Sequence, residues 1–178
     1  MKTVLFGVLA VVLFSGCSNL TKREVANTPP CDDSQYIYKF CTNQKDAFES
    51  AIAESKADGK PLLITFGADW CPWCRSMHET LRSQEVLSQL KSQIRVMEIG
   101  MNIGKTREKN EPGLEVLRSV IAKSGQNVKV EGIPFLVMIN AKSEKIVFLK
   151  TKEVSTENFG QDRALLIGVL NQAIMELR

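Results

Sequence analysis

Apolar residues in this chain fall into a few runs whose periods predict most of the elements. Leu62-Leu63-Ile64-Thr65-Phe66, behind Pro61, is continuous and β-prone and reads as a buried strand. Ile94 to Met101 predicts a second strand, with Ile94, Val96 and Glu98 on one side. Phe135 to Ile139 is a third, Ala141-Lys142-Ser143-Glu144 a hairpin turn, and Ile146 to Leu149 the partner strand. Helical spacing covers Gln44 to Ala57, where Ala47, Phe48, Ala51 and Ile52 share a face. Thr42 or Asn43 caps that helix, and Gly59-Lys60-Pro61 follows it. Further helices are expected from Arg75 to Arg82, shortly after Ser83 through Leu90, from Glu111 to Lys123, and from Asp162 to Leu177. In the Glu111–Lys123 helix Leu114, Leu117, Val120 and Ile121 form the apolar face, and Pro112 suits the first turn. Asn102 to Asn110 is polar and reads as an exposed loop. The order alternates and closes with a hairpin, which predicts an α/β fold: a mixed sheet with helices on both faces.

Chemistry concentrates where the first strand meets its helix. Gly67-Ala68-Asp69 turns the chain, and Trp70-Cys71-Pro72-Trp73-Cys74 follows. At the first turn of a helix, unpaired backbone N–H groups and the positive dipole end favour a thiolate over a thiol. Residues three apart on a helix are neighbours, so Cys71 and Cys74 can close a disulfide. Pro72 is tolerated because the first turn has no N–H partner to lose. Cys71 reads as the attacking thiolate and Cys74 as the resolving thiol. A lone C-x-x-C is shared by zinc sites and structural bridges. Strand, C-x-x-C, helix and then Gly132-Ile133-Pro134 before a new strand is a much stronger signal.

Those residues resemble the thioredoxin superfamily, over most of the chain from about Gln44 to the C-terminus. The resemblance implies a thioredoxin-like domain over 44–178 and a cis-proline at Pro134 facing the cysteine pair. Ile133, Pro134 and their backbone would then receive an extended substrate chain, with Trp70, Pro72 and Trp73 flanking the pair. Trp70 equally suits structural packing against the loop. In thioredoxins a buried Asp lies six residues before the first cysteine and moves a proton from the resolving thiol. Here that place is Thr65, which cannot act as a base. Glu98 or Asp69 is the candidate substitute, with a solvated strand-edge carboxylate as the plain reading of Glu98. His78, the only histidine, lies one turn beyond Cys74 and suits a surface or packing role. Met77 and Met138 read as core filler.

The N-terminus reads as an address. Met1-Lys2, the apolar run Val4 to Phe14 and Ser15-Gly16-Cys17 make a secretory signal over 1–16. Cys17 resembles the acylated cysteine of the bacterial lipobox, although Phe14 stands where that pattern more often has Leu. Acyl chains on Cys17 would hold the protein to a membrane. Ser18, in place of an inner-membrane retention Asp, favours the outer one. Residues 17–43 then form a tether and N-terminal arm, polar and proline-bearing through Pro29-Pro30.

Of five cysteines, removing Cys17 leaves Cys31, Cys41, Cys71 and Cys74. In an oxidising envelope space disulfides persist. Cys31 and Cys41 flank Asp32 to Phe40, where Tyr36, Tyr38 and Phe40 alternate with Ile37 and Lys39, suggesting an extended segment or edge strand. A structural Cys31–Cys41 disulfide would contribute about 2–3 kcal/mol. A second redox pair exchanging with Cys71 and Cys74 is the other reading. Net charge is +3 with interspersed signs, so nucleic-acid binding has no support. Arg75 after Cys74 removes the C-x-x-C-H haem signal, and no cofactor is implied.

The expectation is an envelope thiol–disulfide oxidoreductase, a reductase or isomerase, facing the periplasm and acting on cysteines of exported proteins. An exported reductant needs electrons, which implies a transmembrane thiol donor. A metal-handling protein holding copper on Cys71 and Cys74 is the alternative from another class, and a binding module with an inert bridge is a third.

Overall fold

Helix α1, Gln44–Asp58, starts where Asn43 Oδ1 accepts the backbone N–H groups of Lys45 and Asp46, and ends at Gly59 in the left-handed conformation. These elements come from a computed structural model, which describes residues 35–38, 43–101 and 112–178. Strand β1 (Leu62–Gly67) runs into helix α2 (Pro72–Leu81), and Ser83 caps the short α3 (Gln84–Leu90). Then come β2 (Arg95–Gly100), α4 (Pro112–Ser124), the hairpin β3 (Phe135–Ile139) and β4 (Ile146–Leu149), and α5 (Arg163–Glu176). The compact unit holding them runs from Cys31 to Arg178. Among the described residues no helix is long and apolar enough to cross a membrane.

The sheet order is β2-β1-β3-β4. β2 lies parallel to β1, with Thr65 opposite Glu98; β3 lies antiparallel to β1, and β4 antiparallel to β3. β1 is paired on both edges and covered on both faces, which is why its sequence is a continuous apolar run rather than an alternation. Leu63, Leu136 and Met138 face α2, α3 and α5, meeting Met77, Leu81, Leu90 and Leu170. Leu62, Ile64, Phe66 and Val137 face α1 and α4, meeting Ile52, Val116, Leu117 and Val120. The expected mixed sheet with helices on both faces is the one found.

Three details differ from the expectation. The buried face of α4 is Gly113, Val116, Leu117 and Val120, with Leu114 and Ile121 at its margin. Gly113 sits against the Gly100 carbonyl at the end of β2, where a Cβ would collide, and this close approach sets the helix rotation. Val96 stays 41% exposed, because β2 is an edge strand whose outer half has no covering helix. Tyr36 to Tyr38 form no strand; they make a bend that turns Tyr38 inward and leaves Tyr36 exposed. The stretch 102–110 lies outside the described residues.

Candidate active site

β1 delivers the chain to the site at its C-terminal end. Ala68, Asp69 and Trp70 turn, closed by the Cys71 N–H donating to the Ala68 carbonyl at 3.1 Å. Arg75 Nη1 also clasps this turn, donating to the Asp69 carbonyl at 2.6 Å. Cys71 is the N-cap of α2, with extended backbone, and Pro72 takes the first helical position. The Cys71 sulfur accepts the Cys74 backbone N–H at 3.2 Å, a first-turn donor that it shares with the Cys71 carbonyl at 3.1 Å. Cys71 and Cys74 are disulfide-bonded with Cα atoms 5.2 Å apart. Cys71 is 3% exposed and Cys74 fully buried. The pair is therefore asymmetric: attack from outside reaches Cys71 first.

Opposite the pair the Ile133–Pro134 peptide bond is cis, as the resemblance implied. The Ile133 carbonyl oxygen lies 3.7 Å from Cys71 Sγ, while the Pro134 carbonyl accepts from Thr151 Oγ1 at 3.2 Å. Trp73, Ile133, Pro134, Phe148, Thr151 and Lys152 line a groove of about 640 Å³ beside the sulfur. Trp70 stands 58% exposed, while Trp73 is partly covered.

The sequence reading missed Phe159. It follows β4 in a pair of short turns, Thr151–Val154 and Glu157–Phe159, and packs edge-on against Trp73 with ring centroids 5.1 Å apart. Asn158 and Phe159 both have positive φ, 55° and 63°. A bulky aromatic in the left-handed region is a genuine outlier, and it here sets a ring over the active-site helix. A positive φ leaves no trace in a stretch without periodicity, so the sequence offered no signal.

The two carboxylates considered for proton transfer are both engaged. Asp69 accepts the backbone N–H groups of Ile37 at 2.8 Å and Tyr38 at 3.3 Å, tying the N-terminal arm to the active-site turn. Glu98 stands beside Thr65 on the α2 side of the sheet, where its Oε1 lies 2.9 Å from His78 Nδ1 and accepts from Arg82 Nη2 at 3.3 Å. His78 thus bridges α2 to β2. Thr65 is fully buried, and its hydroxyl has no hydrogen-bond partner among the described residues.

Tyr38 was also missed as a site residue. Its ring is fully buried in one cluster with Ala68, Cys71 and Cys74. Burial, then the charges of Glu98 and Asp69, push its phenol far above the usual range, so it stays protonated. The tyrosine alternation around Ile37 was visible, but nothing local marked which tyrosine turned inward. Cys17, Cys31 and Cys41 lie outside the described residues. Among the described residues no cluster of three or more His, Cys, Asp or Glu side chains is placed to hold a metal ion.

A family pattern described as thioredoxin-like matches residues 42–141. The thiol:disulfide interchange protein DsbD of Vibrio cholerae serotype O1 is 25% identical over 148 residues, 82% of this chain and 22% of that protein. The chain therefore spans under a quarter of the length of that curated relative. A disulphide isomerase from Xylella fastidiosa Temecula1 shares the fold at TM-score 0.54 and 20% identity, over 79% of this chain and 95% of that one. A thioredoxin from Thermus thermophilus does so at TM-score 0.50 and 19% identity, over 73% and 85%. The family match takes in β1, β2, β3 and the bonded cysteines alike, so this chain belongs to the thioredoxin-like family.

Proposed function

We propose that this protein is a thiol–disulfide oxidoreductase that reduces or isomerises disulfides of exported proteins in a bacterial cell envelope. In this reading the signal over 1–16 is removed, acyl chains on Cys17 hold the protein to a membrane, and the domain faces the periplasm. Ser18 favours the outer membrane.

The observation that carries the reading is the position of the Cys71 sulfur. It receives the Cys74 backbone N–H at 3.2 Å and lies 3.7 Å from the carbonyl of Ile133, which lines the groove together with Trp73 and Pro134. The N–H and the helix dipole stabilise a thiolate on Cys71 once the pair is reduced. That thiolate attacks a client disulfide, one client sulfur leaves with the electron pair and takes a proton, and a mixed disulfide forms. In reduction Cys74 loses its proton and attacks the Cys71 sulfur; the second client thiol departs and the Cys71–Cys74 disulfide re-forms. In isomerisation a different client thiol attacks the mixed disulfide instead; a new client disulfide forms, the Cys71 sulfur leaves with the electron pair, and the reduced pair is restored.

Ile133, Pro134 and Trp73 in the groove, with Trp70 and Pro72 flanking the cysteines, position the client segment, and Glu98 and Asp69 remain the carboxylates proposed to assist the proton step. Net reduction consumes two electrons per turnover, so a dithiol donor is required; in an oxidising compartment a transmembrane thiol protein fits that need. Cys31 and Cys41 serve in this reading as a structural disulfide.

Expressing Cys74→Ser in cells and separating envelope proteins without reductant tests the proposal. Mixed disulfides between Cys71 and exported proteins are expected in the membrane fraction, and Cys17→Ala should move them to the soluble one. No adducts, or adducts only with cytoplasmic proteins, would contradict it.

A further inference from the structure

Two fully buried hydroxyls have no hydrogen-bond partner among the described residues, Tyr38 Oη and Thr65 Oγ1, and the first belongs to a ring clustered with the cysteine pair. Orphaned polar groups in a folded interior call for an explanation. Their positions supply one. On β1, Leu63, Thr65 and Gly67 point to the same side, and Leu63 packs with Met77 and Leu81 of α2. α2 runs back over β1, so Cys74, one turn before Met77, lies above the Thr65–Gly67 end of the strand. The Tyr38 hydroxyl occupies the space where a Gly67 Cβ would be, and the ring packs in one cluster with Cys71 and Cys74.

In the disulfide the Tyr38 hydroxyl makes no hydrogen bond to either sulfur, and neither sulfur carries a charge that needs a donor. Reduction changes that: when Cys74 gives up its proton to attack a mixed disulfide on Cys71, a thiolate forms in a fully buried place. We propose that the Tyr38 hydroxyl donates a hydrogen bond to that Cys74 thiolate, doing by donation part of what a buried carboxylate at the Thr65 place would do as a base. The inference rests on the exchange chemistry proposed above.

Tyr38 transfers no proton in this step. The Cys74 proton passes through solvent to the departing client sulfur, the Cys74 sulfur bonds to the Cys71 sulfur, the bond from Cys71 to the client sulfur breaks, and the electron pair departs on the client sulfur. The phenol stays protonated because burial, Glu98 and Asp69 oppose its ionisation, and it therefore keeps a hydrogen to give. The charged and titratable groups around the pair are Asp69 and Arg75 at the turn, Glu98 on β2, and His78 and Arg82 of α2. None of these is altered by Tyr38→Phe, which removes one oxygen and keeps the ring.

The test uses the reduced full-length protein and a chromogenic aryl disulfide. Cys71 attack releases a first chromophore and Cys74 displacement a second, so the two steps separate in time. Tyr38→Phe is expected to leave the first phase unchanged and slow the second about tenfold at neutral pH. The gap should narrow as rising pH ionises Cys74 unaided. Gly67→Ala, whose Cβ takes the hydroxyl's place, should slow the same phase. A second phase with wild-type rate and pH profile in both variants, or equal slowing of both phases, overturns the role of Tyr38 alone. Absence of any second phase in the wild type overturns the exchange reading as well, so the two failures are distinguishable.

Discussion

Asp69 Oδ1 accepts the backbone N–H of Ile37 at 2.8 Å, across 32 positions of sequence. Its other oxygen takes the N–H of Tyr38 at 3.3 Å. A single carboxylate on the active-site turn thus holds the arm whose tyrosine packs on the cysteines. Two hydrogen bonds to a charged acceptor are lost together in Asp69→Ala, which is expected to lower stability by about 1.5–3 kcal/mol. Asp69→Asn, keeping one acceptor oxygen, should lose less. Urea unfolding gives the stabilities, and hydrogen exchange at Ile37 and Tyr38 should rise in both variants. Unchanged exchange would show that the carboxylate does not hold the arm.

Phe159 occupies a backbone conformation, φ 63°, that costs a side-chain-bearing residue about 1–2 kcal/mol. Its edge-to-face contact with Trp73 offsets about 0.5–1.5 kcal/mol of that. Phe159→Gly and Phe159→Ala both lose the ring, but only glycine relieves the backbone. The glycine variant is therefore expected to be the more stable of the two by about 1 kcal/mol. Equal denaturant midpoints would mean the left-handed conformation is not held in solution.

Tyr38 carries a raised phenol, and the sign of its pH effect follows. Below about pH 10, where an exposed phenol ionises, both folded and unfolded states are protonated and its contribution is complete. Above that, the unfolded chain releases the proton while the buried ring keeps it, so stability falls as pH rises. Tyr38→Phe should flatten this alkaline fall in a series of urea midpoints. An equally steep fall in the variant would place the titration elsewhere.

The two cysteines should part company when mutated singly. Cys71→Ser removes the sulfur that attack reaches first, and exchange with a model disulfide is expected to fall to background. Cys74→Ser keeps the attack and stalls at the mixed disulfide, which a non-reducing gel shows as a stable adduct. Adducts forming through Cys74 in the Cys71→Ser protein at the same rate would reverse the assigned roles.

Much of the fold was legible because its signals are local. The continuous run of β1, the cap at Asn43, and the hairpin around Ala141–Glu144 each announce themselves within a few residues. The cysteine pair followed from the same patterns, whereas the cis bond at Pro134 and the choice of Glu98 as the carboxylate near Thr65 came from the resemblance. What escaped depends on distant neighbours. Tyr36 and Tyr38 share the parity of a strand, yet one is 50% exposed and the other 0%, because Gly67 and Asp69 receive only the second. Phe159 reaches Trp73 through a backbone turn that neither its residue type nor its spacing predicts. The rotation of α4 was misjudged for a similar reason: Gly113 fits the Gly100 carbonyl, and an apolar tally along the helix does not weigh a glycine.

The central claim is that the protein environment makes Cys71 acidic. Site-resolved alkylation of the reduced protein over a pH series, read by peptide mass spectrometry, measures this directly. The account expects Cys71 to react as a thiolate with a midpoint well below that of a free cysteine, and ahead of Cys74 throughout the neutral range. A Cys71 that ionises like an ordinary exposed thiol would contradict it.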